Sequence, residues 1–224
     1  SRGIFVAVKA GESGAERGTE KKVEKGAKKK YALMSKNGDM KITGFETVRR
    51  NWSAMAKDVQ KHVLRLVLEE KTVEAVKYDQ NYVGELKAGK IAREQLIIKT
   101  KITRKLDSYA SVGPHVAVAR KMQEQGYSVG PGSLVEYIIV KGAGLVRERA
   151  KMLKEVKEGE YDAEYYLNHQ LIPAVESILA VLGYKADELF TGSKQKGLFG
   201  LSRIRKSVTS RASMKPEIGG RSSA

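Results

Sequence analysis

The residues of this chain best suited to chemistry are cations and hydroxyl donors, and they lie in three segments. Lys29, Lys30 and Tyr31 are consecutive, and Arg49 and Arg50 are adjacent. The third segment covers a longer stretch and contains Lys99, Lys101, Thr103, Arg104, Lys105 and His115. Ammonium and guanidinium groups beside hydroxyl donors are suited to binding phosphate oxygens. These types and spacings therefore indicate the binding of a polyanion backbone.

Structural interpretations compete with this one at the first and third segments. In a strand, Lys29 and Tyr31 point to the same face. That face could meet a phosphate and a groove edge together, or it could be a solvated strand with a core tyrosine. For His115, a role as a buried structural histidine competes with donation to a phosphate, which the family resemblance given below implies. The residues alone leave both alternatives open.

The two arginines also admit two interpretations. The fork of Arg49 or Arg50 can hold a phosphate bidentately. Either side chain could instead form a surface salt bridge with Glu46 or Asp58. Trp52, which follows closely, is interpreted as a packing anchor and not as a platform for stacking bases.

The carboxylates and histidines give little support for catalysis. Asp162 and Glu164 are the only tempting metal-binding pair, and they lie at a predicted helix start, where helix capping and the helix dipole explain them. His62, His115 and His169 lack the spacing of metal ligands. No nucleophile and base can be paired. A metal-dependent nuclease built on the two carboxylates is kept as an alternative hypothesis.

The composition points to a polyanionic partner. The chain has 224 residues with 42 Lys and Arg against 26 Asp and Glu, a formal net charge of +16. Such a charge attracts nucleic acid through counterion release. There is no cysteine, which excludes disulfides and thiolate metal sites and favours an intracellular protein. No apolar run approaches the length of a membrane span, so no membrane partner and a cytoplasmic, nucleoid-associated location are expected.

The elements that would position these residues begin with a small β piece. Residues 3–9 read as a strand that needs a sheet to join, and residues 10–27 form a glycine-rich, low-complexity loop. A second strand is predicted over Lys29–Ser35 and a returning strand over Met40–Thr43. Asn37-Gly38 between them is a hairpin signal.

A helical body with a small β insert follows. A helix capped by Ser53 is predicted to run to about Glu70, and a second one, capped by Thr72, to Leu86. Shorter elements complete the body: a strand within residues 95–103, a helix from Pro114 that Gly126 stops, a strand over Leu134–Val140 and a helix capped by Asp162 that Pro173 divides. The basic segment after Leu189 is predicted to be a mobile tail. The fold class is therefore α+β.

Five segments, taken in order, resemble archaeal family B DNA polymerases. They are Lys28–Ala32, which contains a Lys-x-Tyr motif; Gly44–Trp52, similar to Gly-x-Glu-x-Val-Arg-Arg-Asp-Trp; Lys101–Leu106, with Ile-Thr-Arg; Gly113–Ala119, with Gly-Pro-His-Val; and Tyr161–Tyr166. Asn51 stands where the second motif usually has Asp. Any single match is weak, but the ordered set is specific.

The resemblance implies a division of the chain and of the labour. Residues 1–44 would be the end of a polymerase palm, a β-hairpin with the Lys-x-Tyr motif. Residues 45–190 would be a mainly helical thumb that holds duplex DNA, and residues 191–224 a basic tail. The family's Ser-Leu-Tyr-Pro and Asp-Thr-Asp motifs, which carry the catalytic aspartates, are not in this sequence. The resemblance therefore implies a non-catalytic small subunit of a split polymerase.

The partners implied are a primer–template duplex and a large catalytic subunit. Magnesium is expected on that large subunit, and no cofactor is expected on this chain. Gln195, Leu198 and Leu201 partly match the sliding-clamp peptide of archaeal polymerases, although Leu201 stands where an aromatic residue belongs. A stand-alone basic nucleic-acid-binding protein is the alternative function, and the matched segments could also be an excised fragment.

Overall fold

Two antiparallel three-stranded sheets and five α-helices form the described part of the chain. The structure is a computed structural model and describes residues 2–7 and 29–184. The predicted loop at residues 10–27 and the tail at residues 191–224 lie outside the described residues.

The first sheet contains β1 (Arg2–Ala7), β2 (Lys29–Met34) and β3 (Met40–Thr43) in that order. The turn between β2 and β3 contains Asn37 and Gly38, and Gly38 adopts a φ of +85°, which glycine tolerates best. The hairpin predicted from this dipeptide is confirmed. The strand near the N-terminus pairs with β2 along its whole length, so its partner sheet lies within this chain.

The first sheet rests on the helices through one face. Because side chains alternate across a strand, Ile4, Ala32 and Met34 lie on the same face and are buried. This face meets α1 (Ala54–Leu68) and α5 (Ile172–Val181). The sheet therefore shares its core with the helical part of the chain.

The long helices begin close to their predicted positions. Ser53 caps α1, because its Oγ accepts a hydrogen bond from the backbone N–H of Ala56. The helix ends at Leu68, two residues short of the predicted Glu70, because Glu70 has a φ of +65°. Thr72 is the first residue of α2 (Thr72–Lys87), and its side chain makes no cap. The prediction that Thr72 is the N-cap is therefore wrong, because the backbone enters the helix one residue earlier.

The second sheet contains β4 (Ile98–Lys101), β5 (Leu134–Ile139) and β6 (Ala150–Lys151). The predicted strand within 95–103 is shorter, since a single turn of 3₁₀ helix occupies Arg93–Leu96. Helix α3 (Pro114–Glu124) begins at its proline as predicted. It packs against β5 and β6.

The last helical segment is divided just before its proline. Asp162 caps α4 (Ala163–Tyr166) by accepting from the N–H of Tyr165 at 3.0 Å. A π-helical turn over Leu167–Leu171 then leads into α5. Pro173 lacks the N–H of a regular helix, so the predicted division is confirmed, and its form is a π turn and not a simple kink.

Candidate nucleic-acid interface

The loop that follows β4 gathers several of the predicted site residues around Tyr109. The backbone N–H of Thr103 donates to the Tyr109 hydroxyl at 3.0 Å, and the two hydroxyl oxygens are 3.2 Å apart. The guanidinium of Arg104 lies 5.2 Å from the centre of the Tyr109 ring. The His115 ring meets the same ring edge-on at 5.9 Å. The tyrosine thus joins one hydroxyl donor, one fixed cation and one imidazole.

Two buried residues hold the ends of this loop. Ile102 is fully buried, donates its N–H to Ser133 at 2.8 Å and accepts from Gly132 at 2.7 Å. Leu106 is also buried, and its carbonyl accepts from Arg120 at 3.2 Å. The residues between these two, 103–105, are all exposed. The loop therefore presents its polar side chains on a backbone held at both ends.

The electrostatics of this cluster are set by local contacts. Hydrogen bonds with Thr103 lower the pKa of Tyr109. Burial lowers the pKa of His115 below its usual range, so its ring is neutral at neutral pH and can either donate or accept. Gly113 makes room for that ring, since a side chain there would come within 3.1 Å of His115 Cε1. Arg104 and Lys105 supply the fixed positive charge.

The lysines of β4 are placed beside the loop, and one of them is already paired. Lys99 lies opposite Glu136 on β5, with its Nζ 2.6 Å from the carboxylate. Lys101 alternates to the same face of the strand and is exposed. Within residues 2–7 and 29–184, Lys101 forms no ion pair. Lys101 thus extends the patch of Arg104 and Lys105, whereas Lys99 is partly neutralised.

Lys30 forms an ion pair with Glu46. Its Nζ lies 2.6 Å from Glu46, and the side chains are only 12% and 6% exposed. The period of the strand places Lys30 with buried Ala32 on the inner face, away from Tyr31. This ion pair competes with the predicted DNA contact of Lys30, which stays a prediction. Tyr31 is half-buried on the other face. The side chain of Lys29 is outside the described residues.

Arg49 and Arg50 lie in a short loop before α1, and both are exposed. Among the described residues, neither arginine forms the alternative salt bridge to Glu46 or Asp58. The Glu46 carboxylate is instead bonded to Lys30 and to the amide of Gln60. Trp52 is partly buried and packs against the core, as the sequence predicts. The two cations are thus presented to solvent by a segment whose flanks are packed.

Asp162 performs the capping role expected of it. One carboxylate oxygen accepts from the Tyr165 N–H, and the other pairs with the guanidinium of Arg149. Glu164 is exposed in the first turn of α4. Among the residues that the structure describes, no three acidic or histidine side chains come together to hold a metal ion.

The other histidines lie against aromatic rings. His62 is 4.1 Å from the ring of Tyr78, and His169 is 4.8 Å from that of Tyr165, measured between ring centres.

Helices that could cross a membrane are not found in the described ranges.

Three residues that hold the loops of the candidate interface are not among the sequence candidates. Tyr109 organises the loop after β4, and Gln60 and Gln170 are buried at the ends of the loop that carries Arg49 and Arg50. An aromatic residue within a run of cations is a usable signal for Tyr109. The two glutamines carry no such signal. Gln170 contacts Ser53, 117 residues away, and Gln60 contacts both Thr47, 13 residues away, and Ala174, 114 residues away.

Comparison with known proteins identifies the family. The family model for DNA polymerase family B matches residues 26–182. The DNA polymerase of Pyrococcus horikoshii is 40% identical over 184 residues, which are 80% of this chain and 15% of that polymerase. The DNA polymerase of Desulfurococcus sp. strain Tok is 41% identical over 175 residues, 76% of this chain and 23% of that protein.

A solved structure gives the same result. The family B DNA polymerase from Pyrobaculum calidifontis superposes with a TM-score of 0.61 at 39% identity, over 71% of this chain and 21% of that one. This chain thus spans less than a quarter of the length of these relatives. The ordered motifs, the family match and the identity over most of the chain all agree. The chain belongs to the archaeal family B DNA polymerases.

Proposed function

We propose that this chain holds primer–template duplex DNA through its sugar–phosphate backbone, as the non-catalytic small subunit of a split family B DNA polymerase. The observation that carries the proposal is the cluster around Tyr109. Thr103, Arg104 and Lys105 are exposed on a loop that is fixed at Ile102 and Leu106. A hydroxyl, a guanidinium and an ammonium held together in this way match the needs of successive phosphates.

Backbone contacts suit an enzyme that must copy every sequence. Phosphate contacts fix position and carry no sequence information. The net charge of +16 supplies the long-range attraction. Arg49 and Arg50 form a second exposed cationic point, and Lys101 and His115 extend the first. In this proposal, the helical part of the chain is the thumb and the first sheet belongs to the palm.

The chemistry is assigned to a separate large chain. Phosphoryl transfer in polymerases uses two metal ions held by carboxylates, and the family's aspartate motifs are not in these 224 residues. Magnesium would therefore bind to the large chain. A sliding clamp is proposed as a further partner of Gln195, Leu198 and Leu201, which lie outside the described residues.

Primer extension tests this division of labour. The purified chain, given a primer–template, deoxynucleotides and Mg²⁺, is expected to add no nucleotide. Mixing it with a family B chain that carries the aspartate motifs and lacks the segment matched here is expected to give extension. Duplex binding without extension in any mixture would favour the stand-alone nucleic-acid-binding protein. Extension by the chain alone would refute the proposal.

A further inference from the structure

Two buried glutamines flank the loop that exposes Arg49 and Arg50, which we call the arginine loop (residues 47–53). At its start, the side-chain carbonyl of Gln60 accepts from the backbone N–H of Thr47 at 2.8 Å and lies 2.6 Å from the Thr47 hydroxyl. At its end, the side-chain carbonyl of Gln170 accepts from the N–H of Ser53 at 2.9 Å. The start of the loop is thus held by a side chain of α1, the helix that follows the loop, and its end by Gln170, 117 residues away in sequence.

The glutamines are deeply buried, and the side chain of Gln60 is bonded through both its oxygen and its nitrogen. Gln60 has no exposed surface and Gln170 is 5% exposed. The amide nitrogen of Gln60 also donates to Glu46 at 2.8 Å and to the carbonyl of Ala174 on α5. A buried amide satisfied in this way costs stability if one partner is lost. Two polar side chains are therefore buried in the core, where they accept hydrogen bonds from the backbone of this loop.

The position of Gln170 depends on the π turn of residues 167–171. The same turn buries Leu167 and Leu171. Ser53, which receives the Gln170 contact, is itself the N-cap of α1. One glutamine therefore fixes the last residue of the loop and the first turn of the helix together.

The middle of the loop faces solvent. Arg49, Arg50 and Asn51 are exposed, and Val48 is 58% exposed. An exposed loop with long cationic side chains pays conformational entropy when it binds a ligand, and a backbone already fixed lowers that cost. We infer that Gln60 and Gln170 are positioning residues for the phosphate contacts of Arg49 and Arg50. This inference rests on the proposed DNA-binding function.

The test compares two substitutions of Gln170 in the full chain. Gln170→Met keeps the volume but removes the acceptor for the Ser53 N–H. Gln170→Glu keeps an oxygen acceptor, and its charge is favoured beside the N-terminus of α1. Binding of a fluorescent primer–template duplex is expected to weaken about threefold to tenfold in Gln170→Met and to stay near wild type in Gln170→Glu. Hydrogen exchange at Ser53 should be faster only in the methionine variant.

A mutant cycle separates positioning from general destabilisation. In the Arg49→Ala/Arg50→Ala background, adding Gln170→Met should weaken binding no further. Gln170→Met alone should leave the salt dependence unchanged, because the number of cations is the same, whereas the double arginine variant should flatten it by about two units. Gln123→Met is the control and should bind like wild type, because it removes a glutamine side-chain hydrogen bond elsewhere, the one that Gln123 donates to the carbonyl of Val129.

The outcomes distinguish this inference from the proposed function. Equal weakening by Gln170→Met in both arginine backgrounds would overturn positioning, because the effect would then be general. Wild-type affinity of the double arginine variant would overturn the positioning role as well. The DNA-binding function would still be tested separately, by the duplex binding of Arg104→Ala. The positioning role is supported if Gln170→Met weakens duplex binding only when both arginines are present.

Discussion

Tyr109 is an uncharged residue that contacts three of the proposed DNA-binding residues. Its hydroxyl accepts from Thr103, its ring lies under Arg104, and His115 meets its edge. Such cation–aromatic contacts contribute about 0.5–1 kcal/mol at exposed sites. We therefore expect the side chain of Tyr109 to act on the proposed DNA binding by orienting its neighbours.

Two substitutions of Tyr109 should separate its two contributions. Tyr109→Phe removes only the hydroxyl, and we expect duplex binding to weaken by about 1 kcal/mol or less. Tyr109→Leu also removes the ring, so the loss should be larger. Neither variant should change the salt dependence measured by fluorescence anisotropy.

Tyr127 offers a matched control for these variants. Its ring lies 4.9 Å from the ammonium of Lys154, so Tyr127→Leu removes a similar cation–aromatic pair outside the cluster. This control should bind duplex like wild type. Wild-type affinity of Tyr109→Leu would contradict the role given to Tyr109.

Asp79 is a residue whose burial sets a pH dependence. It has no exposed surface, and neither carboxylate oxygen has a hydrogen-bond partner among the described residues. Burial raises the pKa of Asp79 from 3.8 to about 7. As pH rises from about 4 to about 7, the unfolded chain loses this proton while the folded chain retains it, so folding stability decreases. Above about pH 7 the decrease is complete, at roughly 4 kcal/mol.

Asp79→Asn should remove this pH dependence. The amide side chain introduced at this position is neutral at every pH. The free energy of unfolding of the variant should therefore exceed that of wild type by an amount that grows from about pH 4 to about pH 8. Chemical denaturation across that range measures the difference. Asp58→Asn, at an exposed position of α1, should show no such growth. A constant difference between Asp79→Asn and wild type would mean that the carboxylate is not protonated in the fold.

Among the elements, β2 is joined to the helices by one buried ion pair. Lys30 reaches Glu46 in the turn before α1, and Gln60 on α1 donates to the same carboxylate. Removing one partner of a buried pair leaves the other charge uncompensated, which typically costs about 3–5 kcal/mol. This pair therefore connects the sheet to the helical part more strongly than a surface salt bridge would.

Lys30→Met should accordingly destabilise the chain by about 3 kcal/mol in urea unfolding. The double variant Lys30→Met/Glu46→Gln should recover part of that loss, because no unpaired charge remains. Lys41→Met, at an exposed position of β3, is the control and should change stability little. If Lys30→Met and Lys41→Met were equally mild, the pair would not hold the sheet.

Local sequence signals predict the elements better than the contacts between them. The Asn37-Gly38 turn, the Ser53 and Asp162 caps and Pro114 at a helix start all act within a few residues, and the structure confirms them. Thr72 was not a cap, although its residue type suits that position. Capping depends on where the backbone enters the helix, and the packing of α2 decides this.

The candidate site follows the same distinction. Grouping Thr103, Arg104 and Lys105 on an exposed loop was possible because they are neighbours in sequence. The pairing of Lys30 with Glu46 could not be read from the chain, since strand pairing and the turn before α1 must form first. The burial of Gln60 and Gln170 likewise depends on helices brought together from opposite ends of the described chain.

For the whole molecule, the central claim is that positive charge on fixed loops holds duplex DNA of any sequence. Its most direct measurement is the equilibrium binding of two duplexes of unrelated sequence over a range of salt concentrations, with wild type and Arg104→Ala. Both duplexes should bind equally and lose affinity steeply with salt, and Arg104→Ala should reduce the slope by about one unit for each. Selective loss of one duplex, or binding that salt leaves unchanged, would contradict the account.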